Sequence, residues 1–310
     1  MKNLYRPAPL GSGDKVALVA PSGPLPEATR LDFALDYLKD LGLFPICGQS
    51  CFARHGYMAG EDWLRAHDIN WAFEDVDIKG IFCIRGGYGA GRILDALDYE
   101  MIHRNPKFFC GYSDVTALHT AINQKARLMT FHTPMLCEAG FTGADAYTTA
   151  NFNKCMFKTM SKDNIVNPPG HIWEFLSGGR AEGPLCGGNL SVITSLLGTP
   201  YEIDTNEKIL FLEDVGEEPY KVDRMLNQMR MAGKFDKTLG IIFGSFTDCE
   251  PNDASKEHTF SIPEIIDGLH LNMPVLYGFA CGHCTPTASL PLGAIAVLDS
   301  ITNCFEIKQI

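Results

Sequence analysis

The sequence predicts an α/β protein built from two domains. The first is an N-terminal α/β domain with a mainly parallel sheet, and the second is a C-terminal α/β domain rich in strands. Three observations lead there. Short apolar runs alternate with helical periodicity through the first 140 residues, the pattern of βαβ units. A second set of strand-like runs begins near Ala181. At 310 residues the chain also exceeds one common domain, and 45% hydrophobic with 20% charged residues gives it ample core material.

Lys15 to Ala20 is an apolar run ended by Pro21-Ser22-Gly23-Pro24, a buried strand and its turn. Leu31, Leu35, Leu38 and Leu41 then mark an amphipathic helix, with Gly42 placed as its C-cap. Leu43 to Cys47 reads as a second strand. A helix is expected over 61–73, with Trp63, Leu64 and Trp71 as its apolar points. The strand Gly80 to Ile84 follows, then Arg85-Gly86-Gly87-Tyr88-Gly89-Ala90-Gly91, then a helix through Leu94 and Leu97. Strand 107–110 ends at Gly111, and Val115, Leu118 and Ile122 recur at helical spacing beyond it. Residues 139–180 change character: small and polar residues, then the breaker cluster Asn167-Pro168-Pro169-Gly170. The expected organisation is therefore 1–140 as the first domain, 141–180 as linker and 181–310 as the second domain.

The second half opens with a strand from Ala181 to Cys186 and a helix through Val192 and Leu196. Lys208 to Leu212 is a strong strand ending at Glu213-Asp214. Val222, Met225, Leu226 and Met229 fall at i, i+3, i+4 and i+7, so the methionines read as core. Further strands are expected at Leu239–Phe243, Pro274–Phe279, Ala294–Leu298 and Cys304–Ile307.

Charge excludes some classes of partner. Twenty-six Lys and Arg against 37 Asp and Glu give a formal net charge of −11, which argues against a nucleic-acid partner. No apolar stretch serves as a signal sequence or approaches membrane-spanning length. Eleven cysteines, an odd number, sit in core-like segments such as Ile81-Phe82-Cys83, the way reduced proteins use Cys as a small hydrophobe. The expected compartment is the cytoplasm.

Four constellations carry candidate chemistry. Ser113 lies on a strand-to-helix turn, where it serves either as a helix cap or as the serine of a nucleophile elbow. Gly-Tyr-Ser-Asp-Val has the first Gly of G-x-S-x-G but Val115 at the second, so the nucleophile reading needs a base elsewhere. The Gly86–Gly91 loop fails both phosphate-loop spacings, because Arg92-Ile93 stand where Lys and Ser/Thr are required and Arg92 where a third Gly belongs. What remains is a tight strand-to-helix turn, with a substrate-facing loop that donates backbone amides as the alternative. Cys281-Gly282-His283-Cys284 resembles a redox pair or half a zinc site, but loop-like residues follow it and no second ligand pair completes it. His283 on that loop is a candidate base. Glu213, at a strand's carboxyl end, is a candidate acid, with Asp214, Glu217 and Glu218 as competitors. His132 is a second candidate base, His119 reads as packing or surface, and Ser22 is a rival nucleophile.

Six segments in order resemble the LD-carboxypeptidase family of serine peptidases, also called muramoyltetrapeptide carboxypeptidases. They are KVALVAPSGP, IRGGYGAGRIL, GYSDVTALH, GPLCGGNLSVITSLLGTPY, FLEDVGEEPYKVDRML and GHCTPTASLPLG. One departure is His132-Thr133-Pro134, where relatives carry Gly between His and Pro; an altered loop is expected there. The resemblance implies Ser113 as nucleophile, His283 as base and Glu213 as the acid orienting it, with Ser113 on the first domain and the pair on the second. It further implies an oxyanion hole from the Asp114 amide and the Gly86-Gly87 turn, and a muropeptide substrate cut before its terminal D-alanine. It implies no metal or organic cofactor, and a homodimer as the candidate assembly. Two alternatives stand beside it: a microcin-immunity-type peptidase acting on aminoacyl-nucleotides, and a non-catalytic muropeptide-binding relative.

Overall fold

Five parallel strands with helices between them form the first compact unit, and an eight-stranded mixed sheet forms the second. The computed structural model describes residues 4–27, 29–138, 141, 143–158, 161–251 and 258–309. The first unit spans 1–159 and takes back residues 289–293; the second comprises 160–288 and 294–310.

In the first unit the order is β1 (Lys15–Val19), α1 (Thr29–Asp40), β2 (Phe44–Cys47), α2 (Asp62–Glu74) and β3 (Ile78–Cys83). A 3-10 segment, Ala90–Ala96, precedes α3 (Tyr99–Arg104) and β4 (Phe108–Gly111). A second 3-10 turn, Ser113–Val115, runs into α4 (Thr116–Ala121), which loosens into a π-helical turn before β5 (Thr130–His132) and α5 (Ala146–Phe157). The parallel strands lie in the order β2-β1-β3-β4-β5. Burial on both faces explains why β1, β3 and β4 read as continuous apolar runs and not as alternating ones. Phe108 and Phe109 of β4 are fully buried, each such burial being worth about 1.5–3 kcal/mol.

The second unit runs β6 (Ser161–Ile165), β7 (Glu174–Ser177), β8 (Arg180–Asn189), α6 (Leu190–Ser195), β9 (Ile209–Val215) and α7 (Pro219–Met231). It continues with β10 (Gly240–Thr247), α8 (Ile262–Asp267) and β11 (Val275–Tyr277). The chain then contributes β12 (Leu290–Leu292), antiparallel to β5, to the first sheet, and ends with β13 (Ile295–Asp299) and β14 (Cys304–Gln309) in the second. Strands β8 to β11 are parallel, and antiparallel pairings extend the sheet on both sides. Val222, Leu226 and Met229 of α7 are buried on Leu210, Leu212 and Phe243, with Met225 packed partly against them, so these methionines are core.

Four expectations need correction. The stretch 141–180, read as a linker, carries α5, β6 and β7. Residues 289–293, expected in the second domain, pair with the first sheet. Trp63 is exposed, and α2 buries Ala66, Ile69, Ala72 and Phe73 instead. The helix expected through Leu94 and Leu97 is a 3-10 segment. All eleven cysteines are free thiols, and among the described residues no helix is long and apolar enough to cross a membrane.

His119 is one titratable group that couples this fold to pH. It is fully buried in α4 and its Nε2–H donates to the Gly111 carbonyl at 2.9 Å, while Nδ1 has no hydrogen-bond partner among the described residues. Burial holds its pKa down to about 3, the Gly111 bond opposing and neighbouring His132 reinforcing the shift. Between that value and the unfolded value of about 6.5, only the unfolded chain takes up this proton. Stability therefore rises with pH across the interval and is level in this respect above it. Urea unfolding of wild type from pH 6.5 to 4 should lose stability with a slope approaching one proton more than His119→Gln shows; equal slopes would contradict the assignment.

Candidate functional site

Ser113 occupies the turn between β4 and α4 with φ of +61°, a left-handed conformation that costs a non-glycine residue about 1–3 kcal/mol. It is not a helix cap. Tyr112 caps the 3-10 turn and Val115 caps α4, and neither cap makes a side-chain hydrogen bond. What the turn achieves is presentation: the residue stays half-buried beyond a strand whose own residues are sealed. That is the geometry of a nucleophile elbow.

The glycine loop lies against it. A Cβ built on Gly86 would stand 2.8 Å from both Cβ and Oγ of Ser113, so only glycine lets β3 and the serine turn approach this closely. The Gly86 carbonyl accepts from Gly23 N at 2.8 Å, and its amide points to Glu138 Oε1 at 3.4 Å. Asp114 turns its side chain inward, where Oδ2 accepts from Ala90 N at 2.8 Å. Burial raises its pKa, opposed by the Ser22 hydroxyl, the Ala90 amide and the charge of Arg65. Ser113, Asp114, Gly86 and Gly87 thus belong to one neighbourhood of the first unit. Ser22 is fully buried behind it, which removes the rival nucleophile.

In the second unit Glu213 lies within β9, not after it, and is fully buried. Its Oε2 accepts from His283 Nδ1 at 2.7 Å and from the His283 amide at 3.2 Å. A hydrogen bond to a carboxylate fixes the proton on Nδ1 and leaves Nε2 as the basic nitrogen. The His283 side chain keeps 17% of its surface exposed, so the ring is not sealed as its Glu213 partner is. The loop that carries it is tied down locally: Thr287 Oγ1 bonds Gly282 N at 3.2 Å, and Ser245 N donates to Cys281 O at 3.0 Å.

The competitors are accounted for. Asp214 is taken up by Asn189 Nδ2, the Ser191 amide and hydroxyl, and Val215 N. Glu217 and Glu218 both pair with Lys221, at 3.8 and 3.1 Å, Glu217 part-exposed and Glu218 exposed. His132 is interior, in β5 beside Tyr112 and His119. Cys281 and Cys284 direct their thiols to different carbonyls, Ala288 and Pro286. Among the described residues no group of three or more His, Cys, Asp or Glu is placed to hold a metal ion. The contacts of Glu138 and Ser245 carried no sequence signal, because each is made with a residue distant in the chain.

Comparison with known proteins matches residues 16–133 to the LD-carboxypeptidase N-terminal domain and 182–298 to the LD-carboxypeptidase C-terminal domain. A probable murein peptide carboxypeptidase of Bacillus subtilis is 41% identical over 96% of this chain and 92% of its own. The microcin C7 self-immunity protein MccF of Escherichia coli is 29% identical over 94% and 92%. A solved structure under that name, an inactive mutant in the apo state, superposes with a TM-score of 0.88 at 27% identity, covering 100% of this chain and 99% of the other. The structure of a muramoyltetrapeptide carboxypeptidase from Oxalobacter formigenes gives a TM-score of 0.82 at 28% identity, covering 94% and 97%.

The Glu213 site makes a steric prediction. Gly282 has φ of +119°, and a Cβ there would lie 2.5 Å from Glu213 Oε2 and 2.8 Å from Ser245 Oγ. Gly282→Ala should cost about 1–3 kcal/mol in urea unfolding through strain and overpacking. An unchanged midpoint would contradict the described packing.

Proposed function

The chain belongs to the LD-carboxypeptidase family, and we propose that it is a serine carboxypeptidase removing the terminal D-alanine from murein tetrapeptide in cytoplasmic cell-wall recycling. The observation that carries this reading is the 2.7 Å bond between His283 Nδ1 and Glu213, which makes an oriented acid–base pair of two residues 70 positions apart. The left-handed Ser113 turn supplies the nucleophile.

His283 Nε2 takes the Ser113 proton as Oγ attacks the amide carbonyl before D-alanine; an unassisted hydroxyl is too weak a nucleophile. Glu213 holds the imidazole in the required tautomer and stabilises the imidazolium. The Asp114 amide and an amide of the Gly86-Gly87 turn receive the oxyanion, each such donor being worth about 3 kcal/mol. His283 then returns the proton to the departing D-alanine amine. Water, deprotonated by the same imidazole, breaks the ester and frees Ser113. Every step uses side chains and backbone of this chain with a water molecule.

A second reading is favoured by the likeness to MccF: a peptidase of the microcin-immunity type, acting on aminoacyl-nucleotides. It uses the same triad and differs in what the site receives.

Incubation with a murein tetrapeptide should release free D-alanine, and Ser113→Ala should abolish release. Glu213→Gln should lower kcat by roughly 10³–10⁴-fold, because the imidazole then loses its orienting charge. Release that persists in Ser113→Ala would contradict the nucleophile. Absence of release by wild type, with cleavage of an aminoacyl-sulfamoyl adenosine, would overturn the carboxypeptidase in favour of the second reading.

A further inference from the structure

Arg65 is a fully buried cation of the first unit, and none of the chemistry above uses it. It projects from α2, and its guanidinium is shared among elements that meet around the serine turn. Nη1 donates to the Pro21 carbonyl at 2.5 Å and to the Gly89 carbonyl at 2.8 Å. Nε donates to the Gly60 carbonyl at 3.3 Å, and Nη2 contacts Met58 Sδ at 3.4 Å and pairs with Asp62. Asp62 in turn is gripped by Arg92 through Nε and Nη2 at 2.7–3.1 Å. A Cβ on Gly89 would lie 2.7 Å from Arg65 Nη1, so the loop backbone rests directly on the guanidinium.

The same loop is also held by Asp114. Consecutive residues are thereby fixed by two side chains: the Gly89 carbonyl by Arg65 and the Ala90 amide by the Asp114 carboxylate. Arg92, two residues on, is anchored to the Asp62 that Arg65 holds. On the near side, Pro21 O is bound to Arg65 and Gly23 N to Gly86 O, so the 21–23 turn joins the assembly. The segment left between these fixed points is Gly86–Tyr88, whose Gly87 and Tyr88 are exposed and whose Gly86 touches Ser113.

We propose that Arg65 is a positioning residue for the oxyanion hole: with Asp62 and the Asp114 carboxylate it clamps the glycine loop, setting the Gly87 amide at a fixed distance from Ser113. The proposal rests on the catalytic reading above and adds a residue to it. An arginine suits the task because a planar fork with several donors can bind three carbonyls and a carboxylate at once, which a lysine ammonium cannot do in the same geometry. Preorganised donors stabilise a developing charge only when they need no rearrangement at the moment of reaction. The clamp supplies that rigidity without touching substrate.

The test compares wild type, Arg65→Lys and Asp62→Asn by the rate at which a small fluorophosphonate labels Ser113, alongside D-alanine release and hydrogen exchange of the 85–92 peptide. Rates are normalised to folded protein by circular dichroism, so a role in stability alone leaves them unchanged. Arg65→Lys should slow labelling and kcat by roughly tenfold to 10²-fold, with KM within about twofold and faster exchange in 85–92. Asp62→Asn, which leaves Arg65 in place and loosens Arg92, should give a smaller loss and decides the question should Arg65→Lys not fold. Wild-type labelling rates per folded molecule in the variants would overturn the clamp and leave the catalytic reading intact. Labelling of wild type without tetrapeptide cleavage would overturn the substrate alone, the clamp still being judged by the variants' labelling. No labelling of wild-type Ser113 would overturn the nucleophile and the clamp together.

Discussion

The left-handed conformation of Ser113 is the constraint on which the first unit depends. A β-strand delivered into a helix in an unstrained path would hide its junction residue or turn it into a cap. Here the chain takes a conformation that L-residues avoid, and the surrounding packing has to enforce it. The enforcement comes from both sides of the turn. Phe108 and Phe109 are sealed in the sheet before it, and Val115, Leu118 and Ile122 are sealed after it. Because β3 and β4 run parallel side by side, the glycine loop after β3 emerges at the same strand end, which is where α/β proteins collect ligand-binding groups.

The second unit solves a different problem, the burial of a carboxylate. Glu213 lies inside a central strand with no exposed surface, a position that charges occupy only with partners. The His283 loop brings both a ring N–H and a main-chain N–H to the same oxygen. Burial strengthens that interaction and prevents water from competing for the imidazole. Asp214, one residue on, faces the other side of the strand and is consumed by the start of α6, so alternation along β9 divides two adjacent acids between structure and site.

Much of this was legible in the sequence, for identifiable reasons. Strands buried on both faces advertise themselves as apolar runs, so β1, β3, β4 and β9 were placed within a residue or a few. Ser113, Glu213 and His283 could be singled out because each stands beside such a run or on a loop that follows one. Preferring Glu213 to Glu217 rests on the family resemblance; Glu213 is buried against an imidazole, whereas Glu217 is part-exposed beside Lys221. The failures are equally specific. Strands β6 and β7 read SKDNI and EFLS, edge-type sequences without an apolar run, beside a Pro-Pro-Gly cluster that mimics a linker. Strand β12 is three residues long and contains a proline. Arg65 occupies a polar position of α2 and becomes a core residue only because loops 44 and 24 positions away wrap its head group.

The central claim is that Ser113 Oγ is the atom to which the substrate's acyl group is transferred. A rapid-quench experiment on wild type with excess murein tetrapeptide, followed by mass mapping of the protein, reads this directly. The account predicts a burst of D-alanine, no larger than one equivalent of enzyme, with the acyl mass on the peptide containing Ser113. An acyl group mapped to another residue would contradict it.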